Sequence, residues 1–304
     1  MRFDLTDLRL FVHVVEAGSL TAGAARAHMT LASASQRVRG MEETLGGALL
    51  QRHPQGVRVT EAGRTLLHHA RLVLAQMQRL RGELAEYGEG LRGHVRLLCN
   101  SSAIMEHLPA PLAAFLAAHP QLSVDVEERP SADVAQAVRA GLCELGICAD
   151  QADLQGLTHH FFRDDALMLV LPRAHALASH AGAHTLDALK DARGSIDLVG
   201  LAADNPLQAH LSQQAARQGL QLRYRVRVRS FEAVCRMVEQ GIAAAVVPRT
   251  AALRCAATLA IACLPLSEAW AQRTLVICVK EPQRLAPHAQ RLLQHLLAPE
   301  LNGA

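Results

Sequence analysis

Between residues 66 and 87, apolar side chains recur at spacings of 4, 3, 4, 3, 4 and 3: Leu66, Ala70, Val73, Met77, Leu80, Leu84 and Tyr87. This is a heptad seam, the pattern by which one helix buries itself against another. Thr60 stands where it can cap such a helix, predicted from Glu61 to about Tyr87. A lone helix of that length cannot cover its own stripe. The seven residues are therefore the expected dimerisation seam, and the partner is expected to be a second copy of the chain.

Upstream of the seam the pattern is also helical. Leu8, Phe11, Val12 and Val15 recur at helical spacing, and Gly18 ends that helix. Ser19 can cap a second helix from Leu20 to His28, and Thr30 a third running to about Leu45. Two short helices joined by a tight turn form the skeleton of a helix-turn-helix. Two strand-like pieces then flank the turn His53-Pro54-Gln55-Gly56, which predicts a hairpin wing.

A recognition helix must bring small or polar residues to base edges. Thr30, Ser33, Ser35, Gln36, Arg37 and Arg39 answer that need, and Arg52 and Arg58 would place cations on the wing. A solvated helix face carries the same residue types. The order of helix, turn, helix, wing and seam favours the DNA reading.

Gly88, Gly90 and Gly93 spell G-x-G-x-x-G. The dinucleotide fingerprint needs a strand before it and a helix after it, and here the order is reversed, so a cofactor reading fails and the glycines read as a hinge. From His94 onward strand-like and helix-like segments alternate, which predicts a largely parallel sheet with helices on both faces. The segments AVRAGLCELGIC and MVEQGIAAAVVP repeat one pattern of helix, glycine and buried strand, pointing to two similar lobes.

The stretches DLRLFVHVVEAGSLTAGAARAHMTLASASQRVRGMEETLG and LLQRHPQGVRVTEAG resemble the DNA-binding end of the LysR-type transcriptional regulators. The likeness continues through PAPLAAFLAAHPQLSVDVEE, RAGLCELGI and VEQGIAAAVVP. It departs at Leu31-Ala32, where many members carry Gln-Pro or Gln-Ser. The resemblance implies an α plus α/β fold: a winged helix-turn-helix (1–60), a dimerising linker helix and hinge (61–92), and a two-lobed α/β effector-binding domain (93–304). Lobe one would comprise 93–162 and 267–304, and lobe two 163–266. It also implies a small-molecule effector between the lobes and a homodimer or homotetramer on double-stranded DNA. A two-fold dimer requires a roughly palindromic operator.

Ligands in open α/β sheets sit beyond the carboxyl ends of strands, near helix N-termini. Asn100, Ser101 and Ser102 follow one such strand, and Arg129 and Ser131 follow another. By the resemblance, Ser102 and Ser131 match positions that hold an effector carboxylate; simple N-capping is the competing role. Cys148, Gly200, Leu201, Ala202 and Val247, at or near strand ends, complete the expected walls. The effector is expected to be a small carboxylate or other anion.

Other classes are disfavoured. Half of the 304 residues are hydrophobic, which excludes global disorder, and a formal net charge of +3 is too small to imply nucleic acid or membrane binding by itself. No apolar run approaches the ~18 residues of a membrane span, and the charged N-terminus is unlike a signal peptide, so the cytoplasm is expected. Seven cysteines without a CxxC pair read as reduced core residues. The 16 histidines show no zinc-ligand spacing, so no metal or cofactor is expected. There is no G-x-S-x-G elbow and no P-loop, and the only lysines are Lys190 and Lys280, so no enzyme is expected. Arg223, Arg225, Arg227 and Arg229 share one strand face, which reads as a solvated or subunit-facing surface before it reads as a nucleic-acid stripe. The competing description is a solute-binding or enzymatic α/β protein with an accessory helical oligomerisation domain. Such a protein would tolerate loss of residues 1–90.

Overall fold

The computed structural model describes residues 3–53, 56–85, 93–179, 182–190 and 195–298. The chain forms two compact units, one of Met1–Arg92 with Ala140–Leu142 and the other of Gly93–Arg139 with Cys143–Ala304. Gly88 and Gly90 of the expected hinge lie outside the described residues, and Gly93 opens a strand.

The first unit begins with α1 (Leu5–Ala17), started by a capping box. The Asp4 carboxylate accepts from the Thr6 and Asp7 amides at 2.8 and 3.0 Å, and the Asp7 carboxylate accepts from the Asp4 amide at 2.9 Å. Gly18 ends the helix at φ +61°. Helix α2 (Leu20–Arg26) follows, capped by Ser19. A Cβ on Gly23 would fall 2.4 Å from Val14 Cα, so only glycine permits this close approach of α1 and α2. Thr30 caps α3 (Leu31–Leu45), which buries Ala34, Val38 and Met41 in a core with Phe11, Val14 and Leu49. Strands β1 (Leu50–His53) and β2 (Gly56–Val59) pair antiparallel as the wing. Glu42 Oε1 accepts from the Leu49 and Leu50 amides at 2.9 and 3.2 Å, which pins the wing's base to α3.

Helix α4 (Glu61–Ala85) corrects the seam. Leu66 and Ala70 do not face outward; both are buried in the core of the first unit. Val73 and Leu80 are each 42% exposed, and Met77 is half-buried. A straight helix drifts ~20° per heptad against a 3.5-residue repeat, so one stripe can serve the core early and face outward later. The Leu84 side chain and Tyr87 lie outside the described residues.

Among the described residues the second unit contains a mixed five-stranded sheet, an antiparallel three-stranded sheet and a parallel pair of strands rather than one largely parallel sheet. The first joins β3 (Gly93–Cys99), β4 (Leu122–Glu128), β5 (Leu145–Ala149), β6 (Thr158–Asp164) and β12 (Thr274–Val279) in the order β4-β3-β5-β12-β6. Strands β3, β4 and β5 are parallel, whereas β12 runs antiparallel to both β5 and β6. Helices α5 (Pro109–Ala118), α6 (Ser131–Arg139) and α10 (Pro287–Leu297) accompany this sheet.

The second lobe has β7 (Leu167–Pro172) between β10 (Ala245–Pro248) and β11 (Ile261–Pro265), all antiparallel. Strands β8 (Ser195–Leu201) and β9 (Gln221–Val228) pair parallel, and a bridge from Leu198 to Ala244 links them toward β10. Helices α7 (Pro206–Arg217), α8 (Phe231–Glu239) and α9 (Arg249–Ala256) pack on this lobe. The chain passes between lobes twice, from β6 to β7 and from β11 to β12.

All seven cysteines are free thiols, and all but Cys263 are buried. Burial pushes the Cys99 thiol up to about 12, as expected of a core residue rather than a nucleophile.

Candidate DNA-facing helix and ligand cavity

With Ala34, Val38 and Met41 turned inward, α3 leaves Leu31, Ala32, Ser33, Gln36 and Arg39 exposed, together with the cap Thr30. Arg39 donates to Ser35 Oγ at 3.1 Å, so Ser35 steadies the arginine from one turn earlier. Arg58 is exposed on the wing, and the side chain of Arg52 lies outside the described residues.

Arg37 departs from the sequence expectation. Its guanidinium donates to Asp7 Oδ1 at 2.7 Å and lies 3.6 Å from Asp4. Asp7, and to a smaller extent Asp4, holds the guanidinium's pKa above its ordinary value. Arg37 therefore ties α3 to the start of α1 and is a fold residue first. The signal was present in sequence only as two aspartates at the helix N-terminus, whose partner thirty residues later no local pattern reveals.

In the second unit, the strand ends of lobe one and helix α7 of lobe two enclose a cavity of about 590 Å³. Asn100, Ser101, Ser102 and Ser131 line it, as the sequence reading expected. Asn100 Nδ2 donates to Ser131 Oγ at 3.3 Å, and the Ala149 amide donates to the same oxygen at 3.1 Å. Two donors already approach Ser131 Oγ, so its own proton is left to be offered elsewhere. The Ser101 hydroxyl donates to Glu128 Oε1 at 2.5 Å and lies 3.2 Å from Asn205 Oδ1. Asn205 Nδ2 also donates to Glu128, at 2.9 Å, so one carboxylate bridges the two lobes.

Two residues that line the cavity, Arg273 and His210, were missed in the sequence, as was Asp165, the ion-pair partner of Arg273. Arg273 is buried, with an ion pair to Asp165 at 2.6 Å and a hydrogen bond to Ser102 Oγ at 3.0 Å. Asp165 sits in one passage between lobes and Arg273 in the other. Arg273 Nε reaches the Asp165 carbonyl at 3.1 Å, and the Asp165 amide donates to the Arg273 carbonyl at 3.2 Å. Burial raises the Asp165 carboxyl to about 6 despite the arginine's opposing pull. His210, on α7, also lines the cavity, and burial together with the charges of Arg273 and Arg217 lowers its ring to about 4.

Six of the expected effector residues do not line this cavity. Cys148 points into the lobe-one core with its Sγ 3.9 Å from Cys278 Sγ, while its neighbour Ala149 lines the cavity; strand alternation separates them. Val247 is buried in the lobe-two core. Gly200 backs onto Gln208 and Tyr224, where an added Cβ would come within 2.4 Å of Gln208 Oε1. Arg129 lies with Leu201 and Ala202 in a separate recess of about 260 Å³ and pairs with Glu127. Burial alone would raise the Glu127 carboxyl, but Arg96 and Arg129 hold it below the usual carboxylate range. On β9, Arg223 and Arg225 face Asp197 at 2.7 and 3.9 Å, and Arg227 lies 4.0 Å from the Tyr224 ring centroid. That stripe is an exposed strand face in which Asp197 pairs with two of the four arginines.

Residues 5–64 match the bacterial regulatory helix-turn-helix proteins of the lysR family, and residues 88–299 match the LysR substrate binding domain. The chain belongs to the LysR family. That family is one of transcriptional regulators, not enzymes.

Among curated LysR relatives, the HTH-type transcriptional activator IlvY of Salmonella typhimurium is 31% identical over 170 residues, covering 56% of this chain and 58% of that protein. The alignment thus spans little more than half the relative's length. The probable HTH-type transcriptional regulator LrrA of Synechococcus elongatus is 29% identical over 265 residues, 86% of this chain and 87% of the relative. Among solved structures, the LysR family regulator CbnR superposes with a TM-score of 0.62 at 19% identity, covering 99% of this chain and all of the other. Full-length CbnR in complex with its target DNA gives 0.60 at 20% identity, covering 97% and 99%. These two likenesses concern the fold. No described helix is long and apolar enough to cross a membrane.

Proposed function

We propose that this LysR-family chain is a cytoplasmic, sequence-specific DNA-binding transcriptional regulator whose affinity for its operator responds to a small carboxylate held between the two lobes. The observation that carries the reading is the outer face of α3, where Thr30, Ser33, Gln36 and Arg39 stand exposed on a capped helix beside a wing. Gln36 and Arg39 have the geometry for bidentate contacts to adenine and guanine, and Leu31 and Ala32 offer apolar contact to a thymine methyl. Arg58 and Arg52 supply phosphate contacts and salt-dependent affinity. Val73, Met77 and Leu80, continuing toward Leu84 and Tyr87, pair two copies through α4. The operator is then roughly palindromic, with half-sites ~34 Å apart or a multiple of that.

The effector reading rests on the hydroxyl cluster Ser101, Ser102 and Ser131 around the start of α6, with Asn100 orienting Ser131. A ligand that binds the closed lobes more tightly than the open ones shifts a pre-existing equilibrium between assembly shapes.

The test is fluorescence anisotropy of the full chain against its own gene's upstream DNA and a scrambled duplex, at several salt concentrations. The expected result is tight binding to the upstream fragment with a steep salt slope. Gln36→Ala or Arg39→Ala should cost ~1–3 kcal/mol at one operator position, whereas Arg58→Ala should weaken all sequences alike and reduce the slope by about one. Equal weak binding to both duplexes, unchanged in all three variants, would overturn the assignment of α3.

A further inference from the structure

We propose that the π-helical turn Ala103–His107 is a latch. It fastens lobe one to lobe two through Glu106 and Arg254 independently of a ligand, and, on the reading of the chain as a DNA-binding regulator, it sets how the unliganded chain grips DNA.

Two prolines shape the turn. In a continuous helix the amides of residues 109 and 111 would bond to the carbonyls of Met105 and His107, and Pro109 and Pro111 have no such amides. Helix α5 therefore starts afresh at Pro109. The residues before it close one wider turn, in which the Leu108 amide reaches the Ala103 carbonyl, five residues back, at 2.8 Å. Asn100 Oδ1 opens that turn by accepting from the Ala103 amide at 3.0 Å. Its last residue stays with lobe one, where the His107 ring lies edge-on to Phe162 with centroids 6.5 Å apart.

Between its ends the turn reaches into lobe two. Met105 packs against the lobe-two core. Glu106 Oε1 and Oε2 accept from Nη2 and Nε of Arg254, on α9, at 2.7 and 3.2 Å, a two-pronged contact. The two side chains are unequally placed, Glu106 at 4% exposure and Arg254 at 51%. That inequality gives the latch its direction. A carboxylate so far from water depends on the cation facing it, and that cation belongs to the other lobe, whereas the arginine can turn to solvent. Glu232, the other carboxylate whose charge acts on Arg254, is paired with Arg236 at 2.9 Å. Neither Glu106 nor Arg254 lines the cavity or the smaller recess, so the contact spans the lobes apart from whatever fills either space.

Hydrogen–deuterium exchange of the full chain tests the latch, and anisotropy against the upstream duplex tests its consequence. Arg254→Gln leaves Glu106 buried without its cation. Amides of the lobe-one turn, residues 103–108, should then exchange about tenfold faster, although the substitution lies in lobe two. Glu106→Gln removes the buried charge itself and should change exchange there by less than about threefold. The double variant has no charge to bury and should bring the turn back to within about threefold of wild type, which mere damage to α9 could not do. A rise confined to residues 249–256 in Arg254→Gln, or a double variant as fast as Arg254→Gln alone, would overturn the latch. In the anisotropy assay Arg254→Gln should shift affinity for the upstream duplex at least about fivefold while keeping the salt slope, since the phosphate contacts are untouched. Wild-type affinity alongside faster exchange would overturn the effect on DNA and keep the latch. A wild-type chain that does not prefer the upstream duplex would overturn the regulator reading, and the effect on DNA with it, whatever the exchange shows.

Discussion

Helix α3 and the cavity are built in opposite ways from similar chemistry. Helix α3 presents Ser33, Gln36 and Arg39 from one short stretch, and its inward face closes a core of neighbouring elements. The cavity gathers residues near positions 100, 131, 150, 210 and 273. Each region also contains an arginine–aspartate pair. Arg37 and Asp7 meet at the surface of the first unit, with side chains 37% and 11% exposed. Arg273 and Asp165 meet where the chain passes between lobes, at 5% and 0%. A polar pair near solvent fixes an angle between helices at little cost, whereas a fully desolvated pair makes each partner depend on the other.

That contrast can be broken most forcefully at Asp165. Asp165→Ala leaves Arg273 buried and unpaired and should cost about 3–5 kcal/mol in urea unfolding of the full chain. A loss below that of a surface pair would show that the cavity solvates Arg273, and the two pairs would then be equivalent. The intermediate effect concerns pH. The ordinary histidine value is 6.5, and burial holds His107 and His210 near 4 in the folded chain. Between these values the unfolded chain takes up protons that the folded chain refuses, so stability falls as pH drops from about 6.5 to 4. Asp165, raised from 3.8 to about 6, works against this, because the folded chain protonates it first. Thermal melts of His107→Gln and His210→Gln should lose that acid sensitivity, each by on the order of 1–2 kcal/mol after allowance for partial exposure. Curves that stay parallel to wild type would place the sensitivity elsewhere. The smallest effect is Arg37→Ala, expected at about 1 kcal/mol by the same unfolding assay. A loss equal to that of Asp165→Ala would erase the distinction altogether.

The same contrast explains what could be read from the sequence. The N-terminal helices were legible because their signals are local: Ser19 and Thr30 as caps, Gly18 as a stop, and an apolar period that matches the helix. The seam was legible as a stripe but not in its division of labour, since no spacing tells Leu66 and Ala70, buried in the core, from Val73 and Leu80, left exposed. In the second unit the serine cluster was legible from strand ends. The inward turn of Cys148 and Val247 was not, because a continuously apolar strand gives no sign of which face meets the cavity. Arg273 was invisible for a related reason. Its role exists only because the last strand returns beside Asp165, a partner 108 residues earlier.

Asn205 carries the last consequence. Its Oδ1 accepts from the amides that open α7, at 3.0 and 3.4 Å, while its Nδ2 donates to Glu128 across the lobes. One small amide thus writes two instructions with two different atoms. Starting the helix needs the oxygen, and the bond to the other lobe needs the nitrogen. Aspartate at this position keeps the first instruction and inverts the second, setting like charge against Glu128. The interlobe contact is therefore separable from the integrity of α7 by exchanging NH2 for O. That gives a lineage a way to alter the grip of one lobe on the other without rebuilding either lobe.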